Sequence, residues 1–236
     1  MRSLCLLSGL VVAVAIGAIT RAGAEPGRRA LALEGGRPAL YVALGDSTVE
    51  GVGATSPGRS YVGQLYERLR SVSPQARLVN LGVSGATAGD VRQGQLSRAI
   101  VFQPDLVTVS VGPNDITRRR TPRQYEDDVE AILEALARET RAVVVVNLIP
   151  DITVTPRYRR HERAAALRQR VEVFNEVLGR RAAAHGAAVV DLFGPSREEV
   201  PRHPGLISAD DYHPSDEGYA RWAELMWRGI EERIRR

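Results

Sequence analysis

The chain has 236 residues, 32 of them basic against 28 acidic, with a single cysteine and 44% hydrophobic content. So even a charge excludes nucleic-acid binding carried by charge alone. Three phenylalanines and two tryptophans also leave no obvious aromatic platform for sugars.

In chain order, the first segment reads as an export leader over residues 1–24. Arg2 is followed by an apolar run over residues 4–19 and then by the small residues Ala22-Gly23-Ala24, which suit a signal peptidase. The apolar run is shorter than the roughly 18 residues of a spanning helix. Cleavage after Ala24 is therefore expected, giving a secreted, periplasmic or extracellular protein without stable membrane insertion. Cys5 lies inside the leader, so the mature chain would depend on packing and not on disulfides. Residues 25–236 suit one catalytic domain, because no low-complexity linker divides them. With Arg2 and Arg21 set aside, 30 arginines face 28 acids. The clusters at residues 118–120 and 157–160 read as solvated faces.

Beyond the leader, five short β-branched runs predict strands: LYVAL (40–44), RLVNLGV (77–83), DLVTVSV (105–111), AVVVVNLI (142–149) and AAVVDL (187–192). Helical patterns lie between them, over about residues 60–71, 89–99, 122–139 and 161–184, with a last one over about 215–234. Thr121-Pro122 is a cap and first turn, Gly186 a stop, and His185 a cation at the negative end of its helix. The alternation predicts an α/β fold: a three-layer α/β/α sandwich with a flavodoxin-like, five-stranded parallel sheet. Such sheets bind ligands outside the carboxyl ends of their strands. Gly45-Asp46-Ser47, Ser84-Gly85, Gly112-Pro113-Asn114-Asp115 and Asp210 to His213 all follow strands there.

A serine hydroxyl attacks only when a base takes its proton, and that base is most often a histidine oriented by a carboxylate. Of the four histidines, His161 and His203 read as surface residues, whereas His213 has Asp210 three positions before it on one short loop. Asp211 and Asp216 are neighbouring competitors for the carboxylate role. Acyl transfer also needs donors for the charge that develops on the carbonyl oxygen, each worth ~3–4 kcal/mol. Gly85 can offer a bare N–H, Asn114 a side-chain amide, and Ser47 its own N–H.

The ordered set GDS (45–47), the glycine of NLGVSG (80–85), GPND (112–115) and DDYHP (210–214) resembles the SGNH hydrolases of the GDSL esterase and lipase family. The resemblance implies Ser47 as nucleophile, His213 as base and then acid, and Asp210 as its orienter. It implies an oxyanion hole of Ser47, Gly85 and Asn114, with Asp46 and Asp115 bracing the site. Thr48 stands where the family name has leucine, and Asp211 where the family commonly has glycine. There is no G-x-S-x-G elbow of the α/β-hydrolase kind. The implied substrates are carboxylic esters: short acyl esters, acetylated sugars, lysophospholipids or thioesters. No cofactor or metal is expected, because Asp46, Asp115 and Asp210 do not fall at metal-ligand spacing. Two alternatives use the same fold: acyl transfer to a sugar or cell-wall acceptor, and a non-catalytic carbohydrate-binding module. A complete Ser47, Asp210 and His213 set argues against the second.

Overall fold

The computed structural model describes residues 29–32 and 38–235, so the expected leader and its cleavage point lie outside the described residues. Strands β2 (Leu40–Gly45), β3 (Arg77–Asn80), β4 (Leu106–Ser110), β5 (Val143–Asn147) and β6 (Ala188–Val190) form a parallel sheet in the order β3-β2-β4-β5-β6. This is the anticipated flavodoxin-like order. A separate short pair, β1 (Leu31–Ala32) and β7 (Ile234–Arg235), is also parallel.

The β-branched runs form central strands because both of their faces are covered. Tyr41, Ala43, Leu106, Val143 and Val145 pack toward helices α2 (Tyr61–Val72) and α9 (Asp216–Glu231). Val42, Leu44, Val107, Val109, Val144 and Val146 pack toward α3 (Ala88–Gly94), α4 (Leu96–Phe102), α6 (Pro122–Glu139) and α7 (Ala164–Ala184). Alternate side chains thus bind two helical layers to one sheet, giving the three-layer sandwich. The chain crosses from β3 over β2 to β4, so the switch point lies between the ends of β2 and β4. Gly45 and Ser110 pair there.

Local signals set most element ends. Thr121 caps α6 with a reciprocal Gln124 contact and Pro122 in the first turn, while Gly186 takes φ +67° just past α7. His185 at that end bonds Glu130 at 3.0 Å.

The differences are local as well. The helix predicted over 89–99 is two helices, α3 and α4, which meet at Gln95. Strand β3 stops at Asn80, whose side chain donates to Val49 O and accepts from the Gly82 N–H, turning the chain out of the sheet. Helix α9 stops at Glu231 because Ile234 and Arg235 pair with β1. Helices α1 (Ser47–Glu50), α5 (Pro113–Thr117) and α8 (Phe193–Glu199) are too short to register as periodicity. Among the described residues, no helix is long and apolar enough to cross a membrane.

Candidate active site

Strand β2 ends in a residue that only glycine can be. Gly45 has φ +150°, and a β-carbon there would stand 2.1 Å from Ser110 O and 2.5 Å from Val49 Cγ2. Asp46 then caps α1: its Oδ1 accepts from the Thr48 N–H at 2.9 Å and the Thr48 hydroxyl at 2.8 Å. Thr48, in place of the family's leucine, therefore adds a hydrogen bond to the turn. Gly51 closes the single turn at φ +98°. Ser47 is left at the first position of α1, at the mouth of the β2/β4 crevice.

His213 reaches this serine from the far end of the chain. Its Nε2 lies 2.8 Å from Ser47 Oγ, across 166 positions of sequence, and its Nδ1 lies 2.5 Å from Asp210 Oδ2. The loop that carries it is tied on several sides. Ser208 N–H donates to His213 O, Arg157 N–H donates to Asp211 O, and Ile207 bridges Pro214. Gly53 packs beneath it, where a β-carbon would stand 2.4 Å from Pro214 O.

Of the three acids near His213, only Asp210 meets the ring. Asp211 sits at φ +65°, a left-handed turn that aspartate tolerates and that accounts for the family's usual glycine. Asp216 instead accepts from the Thr55 N–H and hydroxyl, fastening α9 to the loop after the serine.

Partial burial pushes the Asp210 carboxyl up. Hydrogen bonds from the His213 ring and amide, the Tyr212 amide and the Ser208 hydroxyl outweigh it, holding the group well below the usual carboxylate range. Asp46 behaves oppositely: it is 1% exposed, and burial pushes its pKa up to about 6 against the two Thr48 hydrogen bonds.

Two of the proposed donors, Gly85 and Asn114, are brought next to one another at the ends of their strands. Asn114 opens α5 just after β4, and one N–H of its side-chain amide donates to Ala86 O at 3.1 Å, leaving the other available. Gly85, at φ +80°, is the residue just before Ala86, with the Arg118 guanidinium standing over it. Among the described residues, neither the Ser47 nor the Gly85 N–H is engaged by a backbone carbonyl.

Behind them lies a buried ion network that composition alone did not reveal. Asp115 accepts from the Ala88 N–H and from Arg120, which also grips Asp128, and Arg92 bonds Asp128 as well. Arg120 is thus a half-buried tie between α3, α5 and α6, where the sequence reading had a solvated cluster. Gln95 is a second missed residue: its amide accepts from the Gly45 N–H at 2.9 Å and donates to Gly45 O at 2.8 Å. Nothing in the residues around Gln95 announces this contact, since its partner lies fifty positions away.

Ser47, Asn114 and His213 open onto a largely apolar cleft. Its walls come from the loop after β5, from α8 and from α9. Behind Trp222, Tyr61 is wholly buried and stacks on it with ring centroids 5.2 Å apart.

The sequence profile of the GDSL-like lipase/acylhydrolase family matches residues 43–221, which carry every residue named above from Ser47 to His213. The chain belongs to this family. It is accordingly a carboxylic ester hydrolase. The GDSL hydrolase is similar to an acetylxylan esterase of Geobacillus stearothermophilus, at 28% identity over 73% of this chain and 81% of the relative. It is also similar to a GDSL-like esterase of Mycobacterium tuberculosis, at 30% identity over 81% of this chain and 61% of the relative. Among solved structures, the hydrolase LAE5 from the metagenome of Lake Arreo superposes with a TM-score of 0.67 at 24% identity, covering 83% of this chain and 97% of its own. That likeness speaks to the fold.

Proposed function

We propose that this GDSL hydrolase is an exported serine esterase that works through an acyl-enzyme on Ser47. His213 takes the Ser47 proton as the hydroxyl attacks the ester carbonyl, then returns it to the departing alcohol or thiol. Asp210 holds the ring and stays ionised while the imidazolium forms. The Ser47 and Gly85 N–H groups and the free amide N–H of Asn114 receive the oxyanion. Water, deprotonated by His213, then releases the acid. The 2.8 Å approach of His213 Nε2 to Ser47 Oγ carries this reading.

The catalytic domain comprises residues 25–236, released after Ala24. Its substrates are carboxylic esters or thioesters of small molecules, glycans or lipids, and the acetylxylan esterase relative supports acetylated glycans among them. A fluorophosphonate probe should label wild type at Ser47 and leave Ser47→Ala unlabelled, with turnover of p-nitrophenyl acetate lost in parallel. Activity that survives Ser47→Ala would overturn the scheme.

A further inference from the structure

Four arginines around the site face a carboxylate. Arg118 meets Asp90 at 3.7 Å, Arg120 meets Asp115 at 3.0 Å, Arg168 meets Asp151 at 2.9 Å and Arg221 meets Glu199 at 2.7 Å. Each of those charges is met within the chain itself. Arg157, on the exposed turn beside the histidine loop, differs from them. Among the described residues its guanidinium makes no ion pair and no hydrogen bond. It lies over two rings instead, 5.6 Å from the Tyr212 centroid and 5.9 Å from that of Tyr158.

Tyr158 and Tyr212 stand edge to face with centroids 5.7 Å apart, so the cation rests against an aromatic corner. The Arg157 N–H donates to Asp211 O at 3.0 Å, which sets where the side chain leaves the backbone. This corner adjoins the base. Tyr212 lines the cleft and packs edge-on against His213 with centroids 4.9 Å apart. The two steps, 4.9 Å and then 5.6 Å, put the guanidinium carbon at most about 10.5 Å from the imidazole.

Building on the esterase reading above, we propose that Arg157, backed by Tyr158 and Tyr212, binds a carboxylate on the alcohol portion of the ester. His213 hands its proton to the departing oxygen, so whatever that oxygen carries lies on the His213 side of Ser47. An unpaired guanidinium there has the forked donors and the single charge that match one carboxylate. The rings matter because a long exposed side chain loses rotamer freedom when it binds. Held over two rings, Arg157 has given up part of that freedom beforehand. It acts as a specificity residue that selects among alcohols and takes no part in proton transfer.

Phenyl acetate and p-acetoxybenzoate test this, because they share the acyl group and differ by one carboxylate on the leaving phenol. The measured quantity is the ratio of kcat/KM for p-acetoxybenzoate to that for phenyl acetate, so the amount of folded enzyme cancels. At low ionic strength the ratio should fall at least roughly threefold in Arg157→Gln and stay within about twofold of wild type in Arg157→Lys, which keeps the charge. Arg160→Gln, which removes an exposed arginine on the same turn, should leave the ratio unchanged. Should Arg157→Gln fail to fold by circular dichroism, the wild-type ratio gives the same reading, falling at least about twofold between low salt and about 0.5 M NaCl. A ratio that neither Arg157→Gln nor salt moves overturns the proposal while leaving the esterase intact. An equal fall in Arg160→Gln overturns it by making the effect a diffuse charge of the rim. If Arg157→Gln instead impairs only the hydrogen glutarate ester of p-nitrophenol, the carboxylate belongs on the acyl side and the proposal is again overturned. Turnover of both esters that survives Ser47→Ala would overturn the esterase reading and this one with it.

Discussion

Asp46 is the most informative residue to perturb, because it lies beside Ser47 and its charge state is set by burial. The carboxyl is 1% exposed, and its pKa rises from 3.8 to about 6. A buried acid with a raised pKa favours the folded state when protonated. Its contribution is complete below the unfolded value near 4 and is lost as the pH climbs through about 6. At roughly 1.4 kcal/mol per pH unit of displacement, the loss amounts to about 3 kcal/mol. Asp46→Asn keeps the Oδ1 acceptor for Thr48 and the helix cap while removing the titration. The variant should therefore gain on wild type as the pH rises. Urea unfolding of both proteins at several pH values from about 4 to 7.5 measures the difference in stability, and other titrating groups largely cancel. The difference should move in favour of asparagine by up to about 3 kcal/mol, with its midpoint between the two pKa values. A difference that stays flat, or that moves toward wild type as the pH rises, would refute the argument that desolvation dominates the two Thr48 hydrogen bonds.

Three further outcomes are expected. Asn114→Ala should lower kcat for p-nitrophenyl acetate by roughly 100-fold or more with a smaller change in KM, as steady-state kinetics would register. Asp210→Asn should lower kcat by about 10³–10⁴-fold with the fold retained by circular dichroism. Because the wild-type carboxyl is held low, titration of Asp210 itself adds no pH dependence to that deficit between about pH 5 and 8. Gln95→Leu removes the acceptor of the buried Gly45 N–H, a loss of about 1–3 kcal/mol, so thermal unfolding should shift down by about 3–10 °C.

What the sequence disclosed divides along physical lines. The central strands were legible because a strand buried on both faces must be apolar throughout, as VVVVN and LVTVS nearly are. The start of α6 was legible because Thr121, Pro122 and Gln124 act within one turn. The paired serine and histidine were legible because so few residue types can do that chemistry, and their order along the chain narrowed the choice further. Gln95, Arg120 and the apolar cleft were not legible. A glutamine in a helical pattern carries no mark of the strand end it clamps fifty residues away. Arg120 looks like its neighbours Arg118 and Arg119 until Asp115 and Asp128 are brought against it by two separate helices. The choice among Asp210, Asp211 and Asp216 also needed coordinates, since spacing alone leaves all three within reach of a flexible loop.

The two halves of the site are held in place by different means. Ser47 and Asn114 follow strands β2 and β4 by only two and four residues, and the pairing of Gly45 with Ser110 fixes the distance between those strand ends. Their geometry is thus a consequence of sheet register, which the buried alternation on both faces enforces. His213 has no such anchor, because α8 and a long loop separate it from β6. Its position depends on local ties: the Ser208–His213 and Arg157–Asp211 backbone bonds, the Ile207–Pro214 bridge, and the grip of Thr55 on Asp216. Each tie runs to an element that also borders the cleft or the serine turn. The histidine loop is therefore tied to the same elements that border the cleft and the serine turn.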